Sequence, residues 1–588
     1  MINEGLGQLK TFLLGENRQL SAKNIALRLV STPYPLAILV YIVFLAANWI
    51  FYGPAYLSDE VAYLNKAATI AGQTVHVDGS WFGGYSILIS PAYFLSHNPY
   101  IEWKIILVLN AAMWAVTTVL LFYVLKQLRP KASTRAVTFA TAGSLLYPAW
   151  ISMSGYAFAT SGFVLILMAS LAFLVKSKLT RGRWLLGSGV FGGYLFWVHP
   201  LGGVYLGLLL ALFATVAIIH KHWKFVVAPV ATVAVALTYV YVVSPTLNYL
   251  MRSNDNTFHY TRTFTNIIHT VLTLGFWERF GVLSASLLFS VIIATFGIIA
   301  FAADDGIRGW VTSKLSWRKK VVDPVIIVPI LLLVSVIGVI GVNAVSTASN
   351  AGGIRLDEWV YGRYTDMFIL PLIGLGLLAK WRPRVILASI AFVVFAGVLL
   401  AVYTNPHNTD FTANNKVNIE AFWPMFLTSF VHIRDYLVWG ILGAGAIVIT
   451  YFAAKTGKKT VILALIPIIL LTNGANLLYH YTILTDHSTV SSLYSYVKDH
   501  YAPNQCIGFS PQIDSLERFS LYSYYLHGYN VQQMSMNDWI NAKCTGPYFS
   551  YNSDINMPGV FEKGTDKTVG LLMFVRAVST PGSLLSFH

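Results

Sequence analysis

The chain has 588 residues, 56% hydrophobic and only 11% charged, with a net charge of +15 and a mean hydropathy of +0.61. Soluble domains carry about 25% charged residues, so a purely soluble enzyme is excluded. A nucleic-acid binder is excluded as well, because the basic residues punctuate apolar runs instead of clustering on soluble elements.

Residues 1–33 are mixed polar, with Lys10, Arg18, Lys23 and Arg28. They read as a cytoplasmic segment without a cleavable signal. Apolar runs long enough to span a bilayer, which takes roughly 20 residues, follow at 34–52, 101–125, 136–152, 157–175, 184–198, 202–219 and 225–243. More are expected at 281–303, 324–345, 364–380, 385–404, 436–454 and 460–478, thirteen in all. The body of the protein is therefore predicted to be a polytopic, mainly α, membrane helix bundle over 34–479.

Orientation follows from Lys/Arg bias in short loops. With the N-terminus inside, the cytoplasmic side holds 25 of the 40 lysines and arginines but only five of the 25 acids. The opposite, extracytoplasmic side then receives the first loop (53–100), the HPLGG turn at His199, segment 244–280, the YGRYTD loop and segment 405–435. It also receives the tail.

The tail, 480–588, alternates short strand and helix patterns and reads as a small α/β domain. CIGFS, NVQQMS, GPYFSY and TVGLLMFVRA read as strands, and LERFSLYSYYLHG and MNDWINA as helices. Both cysteines of the chain, Cys506 and Cys544, lie there. An extracytoplasmic location favours a disulfide between them; two free buried thiols are the alternative.

The first outer loop is long for a connection. It opens with YLSDEVAYLNKAATIAG, which has helical spacing and carries the adjacent carboxylates Asp59 and Glu60. Ionised groups beside hydrocarbon are costly and usually mark function. The following stretch, SWFGGYSILISPAYFL, is too short to cross and reads as an interfacial helix with Trp81, Phe82, Tyr85, Tyr93 and Phe94 in the headgroup zone.

An odd first span, an outer loop opening on Asp-Glu, amphipathic helices in that loop, a many-span body and an outer C-terminal domain together resemble the GT-C superfamily of integral-membrane glycosyltransferases. Within it the chain looks most like the protein O-mannosyltransferases, the lipid A aminoarabinose transferases and the mycobacterial arabinosyltransferases. The resemblance implies transfer of a sugar from a polyprenyl-phosphate-linked donor to a glycan, lipid or protein acceptor of the cell envelope, outside the cytoplasm. It also implies that Asp59 is the catalytic aspartate.

Inverting sugar transfer needs a base for the acceptor hydroxyl and donors for the departing phosphate. Asp59 is the candidate base. Glu60 is its neighbour, expected to orient a cation, a sugar hydroxyl or a loop residue, since i and i+1 do not share a helix face. The pair could instead merely cap a helix. Tyr63 and Lys66 follow at helical spacing and are candidates for substrate binding or interfacial anchoring. Arg363 and Tyr364 open a span on the outer side, where positive charge runs against the topological bias. A guanidinium there suits the donor's phosphate, or snorkels to the headgroups. Arg252, Arg262, Arg355 and Arg434 are weaker candidates of the same kind. His199 could bind sugar or phosphate, or serve as a backbone-satisfied turn residue.

No Asp-x-Asp motif or close His cluster is present, so no required cofactor is expected, although a divalent metal held by distant loops stays open. No nucleotide or zinc-protease motif is present either. The rival reading is a transporter or flippase for lipid-linked envelope precursors, which would place ionisable residues near the midplane and show a repeat. A non-catalytic assembly protein whose tail binds glycan is the third.

Overall fold

The computed structural model describes residues 32–54, 57–73, 82–221, 223–250, 271–348 and 363–404, parts of 444–481, and most of 497–550 with the strands 560–566 and 571–576. Helices dominate it up to residue 404. Seven of the described helices are long and apolar enough to cross a membrane: Pro99–Leu128, Ala159–Ser177, Gly202–His220, Val227–Leu250, Leu274–Ala294, Pro324–Val345 and Pro383–Leu400. Pro33–Asn48 and Ile469–Leu478 are apolar but shorter. The chain is thus built as a multi-pass membrane protein; the expected count of thirteen spans is not confirmed among the described residues, and the runs expected at 436–454 and 460–478 lie largely outside them.

Two expected spans are interrupted. The run 136–152 divides into Thr134–Leu145 and the single turn Trp150–Met153, with Pro148 between them unable to donate into a continuing helix. The run 281–303 divides at Phe296 and Gly297, which both take positive φ (50° and 72°). The second piece, Ile298–Thr312, starts where Gly376 leaves no room for a Cβ against the Ile298 carbonyl. Left-handed backbone at two successive residues ends an α-helix whatever the hydropathy. The outer segment expected at 244–280 also shrinks, because helices run to Leu250 and restart at Leu274.

In the first outer loop, SWFGGYSILISPAYFL forms two short helices, Gly84–Ile89 and Pro91–Leu95. Their aromatics mostly face protein and not the headgroups expected of them. Phe82, Tyr85 and Tyr93 are buried, and of the described aromatics there only Phe94 is exposed. A Cβ at Gly84 would sit 2.4 Å from the backbone of Trp197, so the glycine lets this segment press directly on the end of helix Gly182–Val198. Tyr85 then donates to Asn110 Oδ1 at 2.9 Å, inside the bundle.

The tail folds as a five-stranded mixed sheet in the order β2-β1-β3-β5-β4. The strands are β1 (Cys506–Phe509), β2 (Asn530–Gln533), β3 (Tyr548–Ser550), β4 (Val560–Asp566) and β5 (Leu571–Arg576). β2, β1 and β3 are parallel, and β5 runs antiparallel to both β3 and β4. Helices Arg518–Tyr525 and Met536–Asn541 accompany it. β4 has no counterpart in the sequence reading. It is an edge strand with a register shift between Glu562 and Gly564, and an edge strand need not alternate apolar residues. Cys506 and Cys544 form a disulfide with a Cα–Cα distance of 4.8 Å.

This domain is fused to the bundle. Phe509, Phe519, Tyr524 and Tyr525 belong to the same apolar cluster as the spans. Tyr524 donates to the Pro99 carbonyl at 2.8 Å, across 425 residues of sequence. Its ring meets Trp103 edge-on, and Tyr525 meets Tyr100.

Candidate active site

The helix Leu57–Ile70 carries Asp59 and Glu60 in its first turn, where carboxylates complement the helix dipole. Glu60 is fully buried. Its Oε1 accepts a 2.6 Å hydrogen bond from the backbone N–H of Ala157. Of the roles considered for Glu60, the geometry displays the orientation of a loop residue.

The loop so held, 151–158, is pinned from two more sides. Asn48 Nδ2 donates to the Ile151 carbonyl and to Ser154 Oγ. Asn110 Nδ2 donates to the carbonyls of Ser154 and Tyr156. Gly155 is required there, since a Cβ would fall 2.2 Å from Asn48 Oδ1. Three buried side chains from separate helices thus fix the position of Phe158.

Phe158 forms one wall for Arg363, whose guanidinium carbon lies 4.2 Å from the ring centroid. Arg363 is the first residue of the helix Arg363–Leu378, and its side chain is 3% exposed. Its Nη2 donates to Asp59 Oδ2 at 2.7 Å across 304 residues, and the Asp59 side chain is 16% exposed. The two residues chosen separately as base and phosphate ligand are therefore direct partners. Taking the Arg363 charge out of water is costly in desolvation, and Asp59 is the carboxylate that answers it.

Tyr364 sits 5.3 Å, ring to ring, from His199. His199 ends helix Gly182–Val198 and turns the chain, its Nδ1 accepting from the Leu201 N–H at 3.2 Å. Burial, then the neighbouring Arg363 charge, pushes His199 down to about 3, so the imidazole is neutral. Tyr63 is buried edge-on against Tyr85 at 5.5 Å. Burial holds its phenol protonated, well above the usual tyrosine range. Lys66 is buried beside Gly83.

Sequence reasoning missed Asn48 and Phe158, and three further contributors besides. Tyr239 begins a π-helical turn, Tyr239–Val243, inside the helix running to Leu250. Its hydroxyl accepts from the Gly83 N–H at 2.8 Å, and its ring stacks on Phe82. Pro245, two residues past that turn, lacks the donor a regular α-helix would need, and it was the available signal. Tyr147 donates to Asp366 Oδ1 at 2.7 Å, anchoring the first turn of the Arg363 helix. Asn110 has no signal beyond being a polar residue inside an apolar run. Arg252, Arg262, Arg355, Arg434 and segment 405–435 lie outside the described residues. Among the described residues, no group of three or more His, Cys, Asp or Glu side chains could hold a metal ion.

The far end of the bundle carries another charge cluster. Arg129 pairs with Asp305, and Asp304 receives both Arg308 at 2.7 Å and Arg382 at 3.1 Å. All five residues belong to segments the sequence reading assigns to the basic, cytoplasmic side, and Asp304, Asp305 and Arg308 share the helix Ile298–Thr312.

No family profile matches the chain, and no curated protein sequence matches it. Solved structures do. ArnT from Cupriavidus metallidurans in the apo state superposes with a TM-score of 0.55 at 13% identity, covering 95% of this chain and 99% of that one. The same protein bound to undecaprenyl phosphate gives 0.54 at 12%, with the same coverage. The Archaeoglobus fulgidus oligosaccharyltransferase gives only 0.39 at 9% identity, covering 86% of this chain and 64% of that one, and carries no weight. Membrane bundle and tail sheet together therefore share the fold of the aminoarabinose transferase ArnT, in line with the GT-C resemblance carried by the first outer loop.

Proposed function

We propose that this protein is a membrane glycosyltransferase that moves a sugar from a polyprenyl-phosphate-linked donor to a cell-envelope acceptor on the extracytoplasmic face. The observation that carries the reading is the pairing of buried Arg363 with partly buried Asp59 at one end of a lipid-solvated bundle. The fold likeness supports the donor class, because ArnT has been seen with undecaprenyl phosphate bound. The segregation of the Arg129, Arg308 and Arg382 ion pairs to the opposite end supports the outward placement of the site.

In this reading Arg363 is the phosphate ligand. Its planar N–H donors take the donor's phosphate bidentately and draw away from Asp59. The carboxylate so released accepts the proton of the acceptor hydroxyl, whose oxygen attacks the anomeric carbon as the sugar–phosphate bond breaks. Arg363 then holds the charge that builds on the leaving phosphate. Glu60 is a positioning residue that fixes Phe158 behind the guanidinium. Tyr63, Lys66, His199 and Tyr364 line the sugar side, with neutral His199 and Tyr63 acting as hydrogen-bond groups rather than as charges. The cation is Arg363, and no metal is invoked.

The test is sugar transfer by purified full-length protein from a polyprenyl-phosphate sugar, comparing wild type with Asp59→Asn. Loss of transfer with retained donor binding is expected. Unchanged transfer in the variant removes Asp59 as base. Donor translocation across vesicles without any glycosylated product replaces the enzyme with the transporter reading.

A further inference from the structure

A second hollow lies at the other end of the bundle. It encloses about 410 Å³ between the start of helix Pro33–Asn48, the last turns of Pro99–Leu128 and Ala159–Ser177, and the starts of Thr134–Leu145 and Gly182–Val198. Phe158, which lies against Arg363, immediately precedes the helix Ala159–Ser177, and Lys176 at its other end lines the hollow, so at about 1.5 Å per residue the hollow lies roughly 25 Å from the Asp59–Arg363 pair. It is no part of the candidate active site.

Its wall is divided in two. Most of it is apolar, from residues such as Leu120, Phe122 and Phe173, while Lys126 and Lys176 bring ammonium groups to it. Lys126 Nζ donates to the Ala132 carbonyl at 2.6 Å and, at the longer distance of 3.5 Å, to that of Pro130, which fixes it and leaves the third N–H of the ammonium to turn inward. Lys176 Nζ lies 3.9 Å above the ring of Trp184. Among the described residues neither lysine pairs with a carboxylate, and no acid lines the hollow. The indole Nε1 of Trp184 is buried without an acceptor. A buried donor left unmade is expensive.

These features share one deficit. Ammonium groups and an orphaned indole N–H all need acceptor oxygens, beside an apolar wall and on the side where lysine and arginine are concentrated. A free soluble anion would answer the charge but leave the apolar wall wet. We infer that this hollow binds an anionic phospholipid, its phosphate between Lys126 and Lys176 and its acyl chain along the wall.

Full-length protein in mixed micelles, with phosphatidylglycerol or phosphatidylcholine added and retained lipid counted by native mass spectrometry, tests this. Wild type is expected to retain phosphatidylglycerol over phosphatidylcholine by about twenty-five-fold, the product of roughly fivefold for each of two lysines near an anionic headgroup. Lys126→Gln with Lys176→Gln should erase the preference. Lys314→Gln with Lys319→Gln, which removes equal charge from exposed positions on the same side, should keep it. Trp184→Phe, which retains the ring under Lys176 but deletes the N–H, provides a milder variant and should weaken retention severalfold. Equal retention of the two lipids by wild type, or equal loss in both lysine pairs, overturns the inference. Displacement of phosphatidylglycerol by millimolar inorganic phosphate overturns it too, by making the hollow a soluble-anion site.

Discussion

The bundle ends in two clusters of opposite charges, and they are built on different terms. At the basic end, Asp304 and Asp305 meet Arg129, Arg308 and Arg382 with side chains 20% to 32% exposed. Water solvates each charge before and after pairing, so each pair contributes little. At the other end, Asp59 meets Arg363 with the arginine 3% exposed and its far face covered by Phe158. There the fold supplies a prepared surrounding: Glu60, Asn48 and Asn110 all hold the loop that carries Phe158. The same two residue types thus yield a solvated fastening at one end and a desolvated, aimed pair at the other. Only the second is suited to chemistry.

The largest effect expected from breaking this contrast is Asp59→Asn, which should lower sugar transfer by about 10²- to 10⁴-fold, the usual worth of a positioned base. Arg363→Gln comes next, at about 10²- to 10³-fold, the worth of a donor aimed at developing charge, with donor affinity falling as well. Arg363→Lys should recover only part of this, since an ammonium lacks the planar pair of donors.

Gly53→Ala probes the brace around the site. Its Cβ would lie 2.1 Å from the Tyr525 hydroxyl, and overpacking of this kind costs about 1–3 kcal/mol. A lowered thermal midpoint, partly restored by adding Tyr525→Phe, is expected; additive losses would show that the two residues do not meet.

A smaller effect comes from pH. Folded His199 is held neutral, near 3, while an unfolded histidine titrates near 6.5. As pH falls through about 6.5 the unfolded chain takes up a proton that the folded chain refuses, so stability drops. His199→Gln should flatten that part of the profile between about pH 7 and 4, which thermal melts across pH would read. Arg382→Gln at the basic end should be the mildest change, below about 1 kcal/mol, with transfer unaffected. A large loss there would erase the distinction between the two ends.

Much of this was legible in the sequence because lipid leaves few alternatives. Charges that resist an apolar context draw attention to themselves, so Asp59, Glu60 and Arg363 stood out one by one. Their meeting was not legible, since nothing local links residues 304 positions apart. Asn48 and Asn110 passed unnoticed for the opposite reason: a single amide inside a long apolar run changes its hydropathy little. Phe82, Tyr85 and Tyr93 were misplaced because an aromatic stripe suits headgroups and protein interior alike, and only the close approach allowed by Gly84 decides between them. Strand β4 was lost because an edge strand rich in Glu, Lys, Gly and Asp carries no alternation. The break at Phe296 and Gly297 lies within an unbroken apolar run, so backbone conformation prevailed over composition.

The contact of Tyr524 with Pro99 also sets an order of events. A ribosome releases the first outer loop some four hundred residues before the helix that braces it, so the loop must wait beside the membrane for that helix. A product cut short before that helix would keep its membrane passes and its aspartate yet lack the strut behind them. Synthesis of that helix thereby acts as a checkpoint on when the surroundings of Asp59 are complete.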